Sequence, residues 1–129
     1  MNAQRILTVA VGGALGTLAR LGAEQAATPW PFGQEFAILV VNLLGAFALG
    51  IASGHGLPRL SPPVREGITT GLLGSYTTMS AVAVTASTAT LSVGVSYLVV
   101  TIVLGVFVAW LGILVGQKAP GAKKDAVPR

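Results

Sequence analysis

The residues most able to do chemistry in this 129-residue chain lie together in one apolar stretch. Residues 71–80 read GLLGSYTTMS, which places two glycines and five hydroxyl side chains in ten residues. A single hydroxyl in an apolar helix can bond to the carbonyl four residues earlier without any further role. Five hydroxyls beside two glycines favour an interrupted helix, whose freed carbonyls can ligate a cation and whose amides and hydroxyls can face an anion.

Other polar residues lie in the remaining apolar stretches. An unpaired Asn42 amide would cost about a few kcal/mol in hydrocarbon, so it either bonds across helices as a structural group or solvates an anion. Arg20 falls near the end of its stretch and fits an interface anchor whose charged head reaches water. Tyr97 and Thr101 lie four residues apart on one helix face, which by itself indicates a packing surface.

Acid–base, thiolate and metal chemistry find little support in the composition. The chain has no cysteine, and its four acids and one histidine are not grouped at the spacing of metal ligands or of a catalytic triad. We therefore predict that the chain is not an enzyme. Its basic residues lie at segment ends rather than among aromatic residues, so nucleic acid is not a predicted partner.

Four apolar stretches must position these side chains. With 53% hydrophobic and 9% charged residues, and a mean hydropathy of +0.77, the chain is predicted to sit in a lipid bilayer. The stretches at about 5–23, 36–54, 66–87 and 95–116 each match the thickness of a membrane. They predict an all-α integral membrane domain of four transmembrane helices over residues 1–117. The first stretch also loosely fits a signal peptide, although its glycine pattern favours a retained helix.

The positive charges are biased toward one side of the predicted bundle. Seven of the eight basic residues flank the side that carries both termini, which leaves only Arg20 near the other. By the positive-inside rule we predict a multi-pass protein of the cell inner (plasma) membrane, with both termini cytoplasmic and one fixed orientation. Residues 118–129 are predicted to form a disordered basic cytoplasmic tail.

Three stretches of the chain resemble the signature motifs of the Fluc (CrcB) family of fluoride-specific ion channels. They are GGALGTLAR at 12–20, VNLLGAF at 41–47 and GLLGSYTTMS at 71–80, in the family's order and spacing, with Tyr97 in the last stretch. The resemblance covers roughly residues 5–116. It implies an antiparallel dimer of four-helix subunits, broken in the third helix, through which fluoride leaves the cytoplasm passively.

The resemblance also implies site residues. The backbone carbonyls of Gly74 and Thr77 would hold a structural sodium ion. The implied anion pathway consists of Asn42, Ser80, Tyr97, Thr101 and Arg20, the last of these near a vestibule.

In one respect the chain departs from the family pattern. Met79 and Val82 replace the two phenylalanines whose rings line the pores in the family, and neither residue offers a positive ring edge to an anion. A chain of fixed orientation also cannot supply both members of an antiparallel pair. We therefore predict a paralogous partner that is inserted the other way and carries the phenylalanines, with a homodimer as the alternative.

Two other functions are open at this point. A non-conducting structural or assembly subunit would explain both the glycine-rich faces and the lost phenylalanines. A small multidrug-type transporter shares the size and the four-helix plan, but it would need a carboxylate embedded in the first helix. Glu24 is expected to fall after that helix, which disfavours the transporter.

Overall fold

Three long helices and a run of short helical segments form the structure, a computed structural model that describes residues 2–122. No β-strand occurs between residues 2 and 122, and residues 123–129 of the predicted tail lie outside the described range. In chain order the elements are α1 (Ala3–Ala27), α2 (Gly33–His55), α3 (Pro62–Glu66), a π-helical segment (Gly67–Leu73), α4 (Gly74–Tyr76), α5 (Met79–Thr88) and α6 (Leu91–Lys118).

Helices α1, α2 and α6 are each long and apolar enough to cross a membrane. They contain 25, 23 and 28 residues, with mean hydropathies of 1.5, 2.2 and 2.9 in their most apolar windows. All three extend past the bounds expected from hydropathy, because helical hydrogen bonding continues into the polar ends. Helix α1 begins at a cap in which the Asn2 side chain accepts from the Arg5 amide at 3.2 Å, and it runs on past Glu24. Glu24 therefore lies within the first helix, not after it.

The predicted third helix is interrupted. The backbone is helical through Tyr76, extended at Thr77 (φ −80°, ψ 156°) and at Thr78 (φ −150°, ψ 117°), and helical again from Met79. The predicted break is thus observed, at the threonine pair of the GLLGSYTTMS stretch. In place of a fourth continuous helix, the structure has an interrupted run of segments from α3 to α5.

Glycines allow the elements to pack at backbone contact. A Cβ added at Gly50 of α2 would lie 2.3 Å from the Ala109 carbonyl oxygen of α6. A Cβ added at Gly12 of α1 would lie 2.1 Å from the Gly67 carbonyl oxygen at the start of the π-helical segment. No side chain fits at either place, so α2 pairs closely with α6 while α1 supports the interrupted run.

Most large apolar side chains of the long helices point outward. Leu7 of α1 is 66% exposed and Val106 of α6 is 67% exposed, whereas only a few residues, such as Val41 and Val82, are fully enclosed. Such a surface requires lipid or another protein chain around it. Together with the three spanning helices, it identifies a multi-pass membrane protein.

Candidate ion pathway at the helix break

The break is built by two adjacent threonines with different tasks. The amide and the hydroxyl of Thr77 both donate to the Leu73 carbonyl, at 3.2 and 3.3 Å, and so close the last turn of α4. The Thr78 hydroxyl accepts from the Ala81 amide at 3.2 Å and so caps the start of α5. This local chemistry stops one helix and starts the next with two extended residues between them.

Asn42 of α2 holds the break in place. Its Oδ1 accepts from the Thr78 amide at 2.7 Å, and its Nδ2 donates to the Thr78 carbonyl at 3.1 Å. One side-chain amide thus satisfies both backbone groups of a residue that has left the helix. The Asn42 amide has a second N–H that these bonds do not use, so the structural task leaves one donor free for a ligand.

The two carbonyls predicted to hold a cation differ from ordinary helical carbonyls. Among residues 2–122, the Gly74 carbonyl accepts only a long bond, of 3.4 Å, from the Thr77 hydroxyl. The Thr77 carbonyl accepts no hydrogen bond from any residue in the described range. Lipid offers no hydrogen-bond donor to a backbone carbonyl, so two underused carbonyls at a helix break fit the oxygen ligands of a hard cation.

These carbonyls lie at the surface of the single chain. Gly74 is exposed and Thr77 is half-buried. A hard cation takes about six oxygen ligands, and this chain offers two of them at the break. The residues present therefore fit part of a cation site, and its remaining ligands would have to come from another chain or from water.

A cavity of about 310 Å³, here called the central cavity, adjoins the break. Asn42, Thr77, Met79, Thr101 and Gly105 are among its lining residues. Thr101 is only 4% exposed, and its Oγ1 has no hydrogen-bond partner among residues 2–122. A buried hydroxyl without a partner is costly and needs an explanation, such as a bound ligand or water in the cavity.

Met79 and Val82, which stand where the resemblance implies phenylalanines, differ in exposure. Met79 is 58% exposed and lines the central cavity, whereas Val82 is fully buried within its own chain. Ser80 is exposed, with its Oγ 3.1 Å from the Thr78 hydroxyl. Ser80 thus joins the same polar cluster as Asn42, although it does not line the central cavity.

A second cavity of about 350 Å³, here called the outer cavity, lies where α2 begins, α5 ends and α6 begins. Its polar lining comes from Glu35, Thr85, Thr88 and Tyr97. The Tyr97 hydroxyl donates to the Glu35 carbonyl at 2.9 Å. The proton of this predicted pathway residue is therefore already engaged, and the bond ties α6 to the first turn of α2.

Arg20 is held within its own helix rather than at either cavity. Its guanidinium lies 3.4 Å from the Glu24 carboxylate one turn later, and both side chains are largely buried, at 20% and 17% exposure. The carboxylate within α1 is thus balanced by an arginine. A proton-coupled transporter would need that carboxylate free, so the pairing continues to disfavour the transporter.

Sequence reasoning missed two of these features. Thr78 was assigned to a packing face and not to a helix cap, although a threonine directly before an apolar run is a recognisable N-cap signal. Glu35 was not assigned to a site, because only the fold brings the start of α2 against α5 and α6.

Comparison with known proteins identifies a family. The family described as CrcB-like protein, Camphor Resistance (CrcB), matches residues 7–113. A relative from Bacillus licheniformis, named Fluoride-specific ion channel FluC 2, is 35% identical over 90% of this chain and 89% of its own. A Fluoride-specific ion channel FluC from Acidobacterium capsulatum is 36% identical over 88% of this chain and 97% of its own. A Fluoride-specific ion channel FluC 2 from Corynebacterium jeikeium is 35% identical over 87% of this chain and 79% of its own.

Proposed function

The chain belongs to the CrcB family, and on that premise we propose that it is a subunit of a fluoride-specific channel through which fluoride leaves the cytoplasm passively. The observation that carries the proposal is the helix break held by Asn42. It adjoins the central cavity, which is also lined by Thr101, whose buried hydroxyl has no hydrogen-bond partner among residues 2–122. Membrane proteins leave backbone and polar groups free at such depth only beside a cavity or a neighbouring chain.

Fluoride is small and strongly hydrated, so a pathway must replace its water shell with other donors. The Thr101 hydroxyl, the unused N–H of Asn42 and the exposed Ser80 hydroxyl can donate hydrogen bonds at the level of the break. None of these groups carries a fixed positive charge, so each can hold an anion weakly enough to release it. Tyr97 can take part only after its hydroxyl leaves the Glu35 carbonyl.

A structural sodium ion at the break is part of the proposal. The Gly74 and Thr77 carbonyls would hold it, because one accepts a single long bond and the other accepts none among residues 2–122. When bound, the ion would satisfy these oxygens and add a positive charge at the centre of the proposed dimer.

The proposed assembly is an antiparallel dimer of four-span subunits, in which the run from α3 to α5 crosses the membrane as the third span. The exposed Gly74 and Met79 place the open side of the break on the outer face of the single chain, where a second chain would cover it. The charge bias favours one orientation with cytoplasmic termini, so we propose a paralogous partner rather than a second copy. Two of the relatives carry the number 2 in their names, which fits a family with paired members.

A second candidate is a non-conducting assembly subunit. It is favoured by the departure from the pattern that the resemblance implies, in which phenylalanines stand at the positions of Met79 and Val82. Val82 is fully buried in its own chain, so it cannot contact an ion in the central cavity. Only a flux measurement separates this function from a conducting one.

The proposal is tested by fluoride release from liposomes. The purified chain, its candidate paralogue and the co-expressed pair are each reconstituted, and a fluoride electrode records efflux. We expect rapid release of fluoride, and no release of chloride, from the co-expressed pair alone.

Three other flux results would contradict the partner, favour the assembly subunit or contradict the channel. Rapid efflux from the chain alone would contradict the paralogous partner but not the channel. If the paralogue conducts alone and this chain adds nothing, the assembly subunit is favoured. The absence of fluoride efflux from all three samples would contradict the channel.

A further inference from the structure

The outer cavity and the central cavity follow one another along α6. Tyr97 lines the outer cavity and Thr101 lines the central one, four residues later and thus about 6 Å further along the helix. Helices α2, α5 and α6 of the same chain enclose the outer cavity. The outer cavity therefore lies about one turn of α6 from the residues at the break, where it could serve as a vestibule.

The charge in this vestibule is negative and unbalanced. Glu35 is half-buried, and its carboxylate forms no ion pair or hydrogen bond with any residue between 2 and 122. By contrast, Glu24 and Glu66 each lie 3.4 Å from an arginine. Glu35 lies in the first turn of α2, where the helix dipole stabilises a negative charge.

The neighbouring hydroxyl groups do not offset this charge. The Thr88 hydroxyl donates within its own helix, to the Val84 and Thr85 carbonyls, each at 3.1 Å. The Tyr97 hydroxyl donates to the main-chain carbonyl of Glu35 and not to its carboxylate. Neither of these hydroxyls therefore bonds to the carboxylate.

We infer that the Glu35 carboxylate limits the rate at which fluoride enters the pathway from this end, because it repels anions from the outer cavity. The inference rests on the proposed function. On this account Glu35 slows the entry of fluoride, whereas the residues around the break stabilise the ion once it has entered. A unit charge about 8 Å away in a partly solvated vestibule changes local anion occupancy by about fivefold at low salt.

The test replaces Glu35 with its uncharged isostere in whichever assembly conducts. Glu35→Gln removes the charge, preserves the shape of the side chain and leaves the main-chain carbonyl that binds Tyr97. Initial fluoride flux at low fluoride is measured at low ionic strength and at about 1 M salt of an impermeant anion, where screening acts over about 3 Å. We expect the variant to be about fivefold faster at low salt and less than twofold faster at high salt.

Two control variants test whether the effect depends on where the carboxylate lies. Gln34→Glu adds a carboxylate at the adjacent exposed residue, which does not line the outer cavity. Glu66→Gln removes a carboxylate that pairs with Arg5 in α1, away from the outer cavity. Glu66→Gln should conduct like the parent protein at either salt concentration. Gln34→Glu adds a second negative charge close to Glu35, so it should not raise the flux at low salt.

Three results would overturn the inference, and they differ in what they say about the channel. If the parent conducts and Glu35→Gln is not faster at low salt, the inference is overturned while the channel stands. An increase of equal size at both salt concentrations would indicate a structural effect and would also overturn it. If the parent releases no fluoride, the proposed function fails and the inference fails with it.

Discussion

Asn42 and Thr101 both line the central cavity, but their polar atoms are satisfied to different extents. Asn42 uses its oxygen and one N–H on the Thr78 backbone, at 2.7 and 3.1 Å. The Thr101 hydroxyl pairs with nothing in the described part of the chain. Loss of Asn42 should therefore disturb the break itself, whereas loss of the Thr101 hydroxyl should affect only what occupies the cavity.

Thr101→Val tests this difference at the residue scale. The substitution keeps the shape of the side chain and removes a buried hydroxyl that has no partner among residues 2–122, so thermal stability should stay the same or rise slightly. Fluoride flux should fall about tenfold, which corresponds to the loss of one hydrogen bond of about 1.4 kcal/mol to the passing ion.

Thr8→Val is the matched control. The Thr8 hydroxyl donates to the Pro63 carbonyl at 2.7 Å and so links α1 to α3. Its loss should lower the free energy of unfolding by about 1 kcal/mol and leave flux per folded protein unchanged. A Thr101→Val protein that conducts like the parent, or that fails to fold, would contradict the assigned role.

The sequence predicted that Asn42 needs partners but not what they are. Desolvation of an amide in an apolar helix demands hydrogen bonds whatever the fold. Its partner, Thr78, is 36 residues away and becomes available only because the helix stops there. The hydrogen bond from the Tyr97 hydroxyl to the Glu35 carbonyl could not be predicted either, because it depends on how α2 and α6 pack.

At the scale of elements, composition predicted the interruption better than the ends of the helices. Glycines and hydroxyls in residues 71–80 indicated the break, and the extended residues are Thr77 and Thr78. The π-helical segment Gly67–Leu73 was not predicted, because its apolar pattern resembles that of an α-helix. Helix ends were missed by a few residues, since α1 covers Ala3–Ala27 rather than 5–23.

Two glycines of α1 test how the interrupted run is supported. A Cβ at Gly12 would lie 2.1 Å from the Gly67 carbonyl oxygen, whereas one at Gly22 would meet no atom within 4 Å. Gly12→Ala should therefore separate α1 from the π-helical segment and lower the free energy of unfolding by about 1–3 kcal/mol.

Gly22→Ala makes the same chemical change without the clash. It should leave stability unchanged, or raise it by up to about 1 kcal/mol through better helix propensity. Thermal unfolding followed by circular dichroism compares the two variants. Equal melting temperatures would show that the close contact between α1 and the interrupted run does not limit stability.

At the scale of the whole molecule, the single chain leaves its polar centre uncovered. The exposed Gly74 and the half-buried Thr77 place underused carbonyls on an outer surface that would otherwise face lipid. Lipid cannot pair with them, which supports the proposed second chain over the break. The charge bias and the replaced phenylalanines then favour a partner of different sequence and opposite orientation.

A crystal structure of the conducting complex, grown from lipid with sodium and fluoride present, tests the central claim most directly. We predict a third span interrupted at Thr77 and Thr78, a second antiparallel chain over the central cavity, sodium density at the Gly74 and Thr77 carbonyls, and fluoride within hydrogen-bonding distance of Thr101. A continuous helix through Thr78, or a central cavity that opens onto lipid with no ion and no second chain, would contradict it.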